Sequence, residues 1–280
     1  MAKDINKYVR ECIARLTPYS TARDEYQGEL GIFLDANESP YENGYNRYPD
    51  PHQKVLKGQI AAIKGVNAEN IFIGNGSDEA IDLIFRIFCE PGVDNVVSLA
   101  PTYGMYEVCA DVNNVTYHSV PLNVEADGTF RFSAEALLNK VDERTKAIFL
   151  CSPNNPTGQC LPQEELLKVL NEFDGVVVID EAYADFMSQP SFLTVLHEYP
   201  RLIVLQTFSK AWACAGIRLG MAFASAEIIS LFNKVKYPYN VNVLTQRQAI
   251  NLLSTPQRIT QWVTELKAER SRLISRLHEC

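Results

Sequence analysis

Short apolar runs alternate with amphipathic stretches through most of the chain. Seven of the runs predict β-strands, at residues 71–74, 95–99, 115–120, 147–151, 175–179, 202–206 and 220–224. Apolar residues at helical spacing predict helices near 78–89, 103–110, 162–172, 225–235 and 242–254. Strands that alternate with helices indicate an α/β fold, with a mostly parallel seven-stranded sheet sandwiched by helices.

The two ends of the chain follow a different pattern. A first helix is predicted at about 5–16, followed by an extended arm rich in Pro, Gly, Asn and Tyr over 17–51 and by a helix from about 52 to 64. After Pro256, apolar residues recur at helical spacing as far as Leu277, so a long amphipathic helix is expected there.

Composition narrows the class of protein. The chain has 280 residues, of which 46% are hydrophobic, and a formal net charge of −8 without a run of Lys or Arg, which argues against a nucleic-acid partner. Because there is no apolar signal segment and no stretch of about eighteen apolar residues, neither export nor a membrane span is expected. The seven cysteines form no CxxC pair and the four histidines are isolated, so no metal site is expected. The expectation is a cytoplasmic enzyme whose cysteines are mostly buried and free.

Polar residues follow four of the predicted strands, at the edge of the sheet where ligands bind in open α/β folds. The first group is Gly76, Ser77 and Asp78, whose backbone N–H groups open a helix and can bind an anion. Taken alone, this group is better explained as an ordinary strand–turn–helix loop. The second group is the run SPNNPTG at 152–158, in which Asn155 lies between two prolines with its amide free to donate. Taken alone, this turn is weak evidence for a binding site.

A charged residue follows each of two further strands. Asp180 ends a fully apolar strand, where burial of a carboxylate costs free energy unless a cation pairs with it. An aspartate that caps the N-terminus of a helix is an equally good explanation of this segment. Lys210 is the only charged residue between Arg201 and Arg218. We expect it to be buried among apolar neighbours, which would lower its pKa and leave the amine free to react with a carbonyl group. A solvated surface lysine is the alternative.

Together the four groups describe one ligand. Donors for a phosphate come from the first and fourth groups, namely 76–78, Thr207, Ser209 and Arg218. An aldehyde on the ligand would react with Lys210, and a basic ring nitrogen would pair with Asp180. A ring hydroxyl would meet Asn155 and Tyr183. Pyridoxal 5′-phosphate has all four features.

Three motifs carry a resemblance to a known family. The runs SPNNPTG, VVVIDEAY and TFSKAWACAGIRLG, in this order, resemble the fold-type I aminotransferases of class I/II, with Arg218 eight residues after Lys210. The resemblance covers nearly the whole chain. It implies pyridoxal phosphate bound as a Schiff base on Lys210, with Lys210, Asp180 and Tyr183 as catalytic residues. It also implies that Tyr103 stacks on the cofactor ring, although a core tyrosine would suit the same position.

Segments of the arm are more specific. Residues 16–23, 34–40 and 46–51 are similar to the histidinol-phosphate aminotransferases. In that family Tyr19 would face the substrate, and Asn37 would lie near the amino-acid-like end of it. Tyr48 would cross the two-fold interface of a homodimer to the cofactor phosphate of the other subunit. A structural role in the arm is the alternative for each of the three.

The resemblance implies a reaction, which is transamination of L-histidinol phosphate with 2-oxoglutarate to imidazole acetol phosphate and glutamate in histidine biosynthesis. Lys210 would move the proton from the substrate Cα. Three alternatives stay open: another class I/II aminotransferase acting on aromatic amino acids, a threonine-phosphate decarboxylase, and a cofactor-binding protein without turnover.

The resemblance also implies three regions. Residues 1–51 would form the N-terminal helix and arm, 52–254 the large cofactor-binding domain, and 255–280 the start of a small C-terminal domain. Members of the family usually continue beyond this point, so either the sequence is truncated or the gene product lacks half of its substrate domain.

Overall fold

A seven-stranded sheet forms the centre of the structure, which is a computed structural model that describes residues 5–21 and 31–279. The strands of this sheet are β1 (Ile71–Asn75), β2 (Asn95–Ala100), β3 (Thr116–Pro121), β6 (Thr145–Cys151), β7 (Val176–Asp180), β8 (Leu202–Thr207) and β9 (Leu219–Phe223). Their order is β1-β9-β8-β7-β6-β2-β3. Only β9 runs antiparallel to its neighbours, and the other pairs are parallel. The predicted fold class and all seven predicted strands are therefore confirmed.

Helices cover both faces of the sheet. They are α1 (Glu11–Arg15), α2 (Lys54–Lys64), α3 (Gly76–Phe88), α4 (Met105–Val112), α5 (Ala134–Leu138), α6 (Gln163–Glu172), α7 (Ala226–Val235), α8 (Val243–Leu253) and α9 (Pro256–His278). Apolar residues of α3, α4 and α7 join the core on one face, and those of α2, α5, α6, α8 and the start of α9 join the core on the other. The sequence did not predict α5 or a small hairpin of β4 (Asn123–Val124) and β5 (Phe130–Arg131), because these elements are only five and two residues long.

One predicted element at the N-terminus is wrong. Instead of a continuous helix over 5–16, the chain forms a 3-10 turn at Ile5–Tyr8 and then α1. Arg10 interrupts the helix with an extended backbone, because its N–H donates to the carbonyl of Ile87 at 3.0 Å. Its guanidinium group also binds Glu90 at 3.0 Å. Contacts with the end of α3 thus outweigh the local helical pattern.

The expectation that most cysteines are buried is met by three of those that the structure describes. Cys89, Cys109 and Cys151 are buried, as expected, but Cys12 is exposed because the short helix α1 leaves it on the surface. The long helix α9 is confirmed, with Ile259 buried at its start.

Within 5–21 and 31–279, no helix combines the length and apolar character needed to cross a bilayer. The same ranges hold no group of three or more His, Cys, Asp or Glu side chains suited to a metal ion.

Alternation along the strands decides which side chains reach the functional edge of the sheet. In β7, Val177 and Ile179 join the core on the α6 face, whereas Val176 and Val178 join the core on the α4 face. Successive strand residues point to opposite faces, so Asp180 continues the series of 176 and 178. Cys151, paired with Asp180 in the strand register, lies in the same core. The carboxyl ends of β6 and β7 therefore present polar atoms toward α3 and α4.

Candidate active site

A pocket lies at the carboxyl ends of the central strands. It is lined by Ser77, Asp78, Tyr103, Cys151, Asn155, Asp180, Ala182, Tyr183, Thr207, Ser209, Lys210 and Arg218. Ten of these twelve side chains were singled out in the sequence, and the structure brings them together. Cys151 and Ala182 were not predicted. The convergence follows from the sheet, because parallel strands end at the same edge and β6, β7 and β8 are neighbours.

One end of the pocket is a glycine turn that leads into α3. Gly76 has a φ of +72° and donates its N–H to the carbonyl of Arg218 at 2.7 Å. A Cβ atom on Gly220 would lie 2.1 Å from the backbone nitrogen of Ser77, so only glycine allows β9 to approach the turn this closely. The first N–H groups of a helix lack intrahelical partners and favour an anion. The turn can therefore bind an anion.

Side-chain donors surround the same end. The guanidinium group of Arg218 donates to Ser209 Oγ at 3.3 Å and pairs with Asp78 Oδ2 at 3.3 Å. Thr207 Oγ1 donates to Ser209 Oγ at 3.0 Å. The hydroxyl of Tyr103 donates to Asp78 Oδ1 at 3.0 Å, and its pKa is raised, first by desolvation and then by the charge of Asp78. Asp78 therefore occupies donors that an anionic ligand could also use.

The floor of the pocket holds a buried carboxylate. Asp180 is 2% exposed and accepts hydrogen bonds from the hydroxyl of Tyr106 at 2.7 Å and from the N–H of Ala182 at 3.0 Å. Burial raises the pKa of Asp180, and the two donors oppose that rise. Both donors are neutral, and the described part of the chain shows no salt bridge to this carboxylate. Such a carboxylate suits a cationic ligand atom, as the sequence predicted.

Tyr106 is the functional residue that the sequence analysis missed. It lies on α4, is fully buried, and stacks on Phe149 with ring centroids 5.1 Å apart. Tyr103 meets it edge-on at 5.6 Å. Burial, followed by the charge of Asp180, raises the pKa of Tyr106 well above the ordinary value, so its hydroxyl stays protonated and donates. A signal for Tyr106 was present in the sequence. It is a second tyrosine three positions after Tyr103, and residues three apart lie on the same side of a helical turn.

The prediction that Lys210 is buried is wrong. Its side chain is exposed at the mouth of the pocket, with Nζ 5.3 Å from the ring centroid of Tyr183. The apolar neighbours Phe208, Ala211 and Trp212 are buried in the core instead. The segment after β8 is irregular, so residues adjacent in sequence point to different sides. The amine nevertheless lines the same pocket as Asp180.

Asn155 is held in place through its neighbours. The thiol of Cys151 bonds to the backbone N–H of Asn155 and donates to the carbonyl of Pro153 at 3.4 Å. Asn154 donates to the carbonyl of Pro101 at 3.0 Å and accepts from Thr102 at 2.8 Å. The loop after β6 is therefore tied to the loop after β2, and the side chain of Asn155 is left to line the pocket.

Three predicted residues of the arm lie away from this pocket in the single chain. Tyr19 is 75% exposed, and Asn37 is exposed with a φ of +51°. Tyr48 is 53% exposed and stacks on Tyr239, with ring centroids 4.5 Å apart. The segment 16–23 extends into residues outside the described ranges. The roles of these three residues stay predictions.

The residues present fit pyridoxal phosphate. Donors for an anion lie at one end, a buried carboxylate lies in the floor, an amide lies at the side, and an amine lies at the mouth. The close approach of Gly220 to Ser77 leaves the turn open for a phosphate, since a larger residue would displace it. The buried carboxylate of Asp180, whose ionised form is disfavoured by desolvation, is the feature that a cationic ring nitrogen would stabilise.

Comparison with known proteins defines the class. The signature of aminotransferase class I and II matches residues 34–280, and the chain belongs to this family of pyridoxal-phosphate-dependent enzymes. Pyridoxal 5′-phosphate is therefore its cofactor, and it is an aminotransferase.

Individual relatives are more specific. A histidinol-phosphate aminotransferase of Bacteroides fragilis is 60% identical over 272 residues, which cover 97% of this chain and 78% of that protein. The histidinol-phosphate aminotransferase of Parabacteroides distasonis is 56% identical over 277 residues, covering 99% and 79%. The solved histidinol-phosphate aminotransferase of Sinorhizobium meliloti, in complex with pyridoxal-5′-phosphate, is similar with a TM-score of 0.74 and 26% identity, over 81% of this chain and 61% of that one. The enzyme of that name from Clostridium acetobutylicum has a TM-score of 0.73 and 26% identity, over 83% and 69%.

Proposed function

We propose that this chain transfers the amino group of L-histidinol phosphate to 2-oxoglutarate, giving imidazole acetol phosphate and glutamate in histidine biosynthesis. The observation that carries the proposal is the meeting of Lys210, Asp180 and the anion donors around Arg218 in one pocket. The choice of substrate is supported by relatives of that name at up to 60% identity over nearly the whole chain.

Each residue of the pocket has a role in the proposal. Bound pyridoxal phosphate supplies an electron sink for charge that develops at the substrate Cα. Lys210 carries the cofactor and then moves the proton from that Cα, as general base and acid. Asp180 keeps the ring nitrogen protonated, because an ionised carboxylate beside it stabilises the cation. Asn155 and Tyr183 would bind the ring hydroxyl.

The remaining predicted residues bind the cofactor without taking part in proton transfer. The phosphate would be held by the backbone N–H groups of 77 and 78 and by the side chains of Ser209, Thr207 and Arg218. The predicted contribution of the Gly76 amide is wrong, because its N–H already donates to the carbonyl of Arg218 at 2.7 Å. Tyr103, which lines the pocket, would pack against the cofactor ring. Its hydrogen bond to Asp78 orients it, since the phenol ring is then fixed at both its packed edge and its hydroxyl.

We propose a homodimer in which Tyr48 completes the site of the other subunit, with Tyr19 and Asn37 directed to the substrate. Support comes from the arm, whose large apolar side chains are exposed in the single chain, namely Ile32, Leu34, Tyr41, Tyr45 and Tyr48. We also propose the division into 1–51, 52–254 and 255–280. The cytoplasm is the proposed compartment, supported by the free state of every cysteine that the structure describes.

Spectroscopy of the purified protein tests the reaction. We expect a visible absorbance band from bound pyridoxal phosphate and its loss when histidinol phosphate is added without a keto acid. Addition of 2-oxoglutarate should restore the band. Aromatic amino acids and threonine phosphate are the competing donors, and carbon dioxide release from the latter would indicate a decarboxylase.

A matched pair of lysine variants tests the chemistry. Lys210→Ala should abolish turnover with unchanged folding, because it removes the amine at the pocket mouth. Lys140→Ala is the control, since Lys140 is an exposed lysine after α5, away from the pocket. Retained turnover in Lys210→Ala, or a band in the wild type that no donor affects, would refute the proposal.

A further inference from the structure

The loop between α7 and α8 contacts the end of β1 and the start of α3 through Asn240. Asn240 lies in this loop and is half-buried. Its side-chain amide donates to the carbonyl of Ile73 and to Glu79 Oε1, both at 3.0 Å. Its backbone carbonyl accepts from Asn75 Nδ2 at 2.7 Å. Asn240 therefore bonds to α3 and to two residues of β1, one of which, Asn75, ends the strand.

Glu79 closes this arrangement from the helix side. Its Oε2 accepts hydrogen bonds from the backbone N–H of Asn75 at 2.5 Å and from the side chain of Asn75 at 3.0 Å. Its Oε1 accepts from Asn240. The carboxylate thus bonds to the residue directly before Gly76, and Asn240 fixes the orientation of the carboxylate.

The turn is consequently held from two sides. On the β9 side, the N–H of Gly76 bonds to the carbonyl of Arg218 at 2.7 Å. On the other side, Glu79 and Asn240 bond to Asn75. Amides bind an anion well only when they already point at it, because reorientation on binding reduces affinity. The direction of the turn amides depends on both attachments.

We propose that Asn240 is a positioning residue for the phosphate-binding turn, acting through Glu79 and Asn75. The inference rests on the proposed function, which places the cofactor phosphate at the turn amides of 77 and 78. Asn240 is the informative position, because it is neutral and its substitution leaves the charge near the phosphate unchanged. A substitution of Glu79 would remove a negative charge there and so confuse two effects.

The test compares two ligands that differ only in the phosphate. Dissociation constants for pyridoxal phosphate and for pyridoxal are measured on cofactor-stripped full-length protein by visible absorbance. In Asn240→Ala, the affinity for pyridoxal phosphate should fall about tenfold or more, as expected for the loss of two hydrogen bonds that orient the turn. The affinity for pyridoxal should stay within about twofold, because pyridoxal does not use the turn.

Two further variants keep the test decisive. Asn242→Ala is the matched control in the same loop. The side chain of Asn242 caps α8 by accepting a hydrogen bond from the N–H of Thr245 at 2.9 Å. Its removal should lower thermal stability without changing the affinity for pyridoxal phosphate relative to pyridoxal. Asn240→Leu has a similar size and no charge but cannot donate to Glu79, so the affinity for pyridoxal phosphate relative to pyridoxal should fall as far as in Asn240→Ala.

The outcomes separate this inference from the proposed function. Equal losses for both ligands, or no loss for either, would overturn the positioning role of Asn240 while leaving cofactor binding intact. Wild-type protein that binds neither ligand would overturn the proposed function and this inference together.

Discussion

The hydrogen bond between Tyr106 and Asp180 offers the sharpest test of how the pocket floor works. Tyr106→Phe removes one oxygen atom and keeps the ring, which is packed between Phe149 and Tyr103. Asp180 would keep only the N–H of Ala182 as a donor. Because burial already raises the pKa of Asp180, loss of the hydroxyl should raise that pKa further and disfavour the ionised form.

The size of the effect follows from the type of bond. A hydrogen bond to a charged group contributes about 1.5–3 kcal/mol, and about 1.4 kcal/mol corresponds to a factor of ten. The 2.7 Å bond is short and fully buried, so it belongs within this range. We therefore expect the affinity for pyridoxal phosphate to fall roughly 10- to 150-fold in Tyr106→Phe. The loss should disappear for a cofactor analogue in which carbon replaces the ring nitrogen.

A matched control lies at the opposite end of the strands. Tyr8 is also buried, and its hydroxyl donates to Asp174 Oδ1 at 2.6 Å. Tyr8→Phe thus removes a tyrosine–aspartate bond that the pocket does not contain, and it should change thermal stability with no change in cofactor affinity. An affinity of Tyr106→Phe equal to that of the wild type would refute the reasoning. Equal losses for the cofactor and its carbon analogue would do the same.

Three further predictions concern the carboxylate, the turn and a cap. Because burial raises the pKa of Asp180, its protonation stabilises the fold at pH values below its unfolded pKa, and that contribution is lost as the pH rises through the folded value. Calorimetry of the cofactor-free protein should therefore show Asp180→Asn gaining stability relative to the wild type as the pH rises, although the variant binds pyridoxal phosphate more weakly; a constant difference would contradict this. Gly220→Ala should abolish cofactor binding or folding, since its Cβ would lie 2.1 Å from Ser77 N, whereas Gly216→Ala, with nothing within 4 Å, should bind normally in the same titration. Ser225→Ala removes the N-cap of α7 and should cost about 0.5–2 kcal/mol in urea unfolding without affecting the cofactor, and a change in affinity would count against a local role.

The sheet was predictable because its strands are strongly marked. Six of the seven contain a short apolar run, and β7 is apolar up to the aspartate that ends it. The exception is β3, whose sequence TYHSVP is largely polar. Parallel strands joined by helices place their carboxyl ends together, so the strand pattern alone assigns Asp180 and Thr207 to one edge of the sheet. That 151 and 180 share a face depends on the register between β6 and β7, which alternation within each strand does not give.

The remaining features depend on contacts between distant positions. Tyr106 and Asp180 are 74 residues apart, and their bond depends on how α4 packs on the sheet. Asn240 and Glu79 are separated by 161 residues. The exposure of Lys210 depends on the path of an irregular segment after β8, for which hydrophobic periodicity gives no direction. Local patterns describe elements, whereas these features arise from tertiary packing.

The two ends of the pocket place opposite demands on a ligand. At the floor, burial makes the ionised form of Asp180 costly until a cation lies beside it. At the turn, Arg218 is paired with Asp78, so an anion must compete with that carboxylate for the guanidinium group. A ligand with only a phosphate leaves the floor unpaired, and a ligand with only a basic ring leaves the turn amides without an acceptor. A molecule that carries the phosphate and the basic ring on one rigid frame binds at the turn and at the floor together. It loses its translational freedom only once for the two interactions. The pocket should therefore discriminate strongly against pyridoxal and against inorganic phosphate, although each matches one end of it.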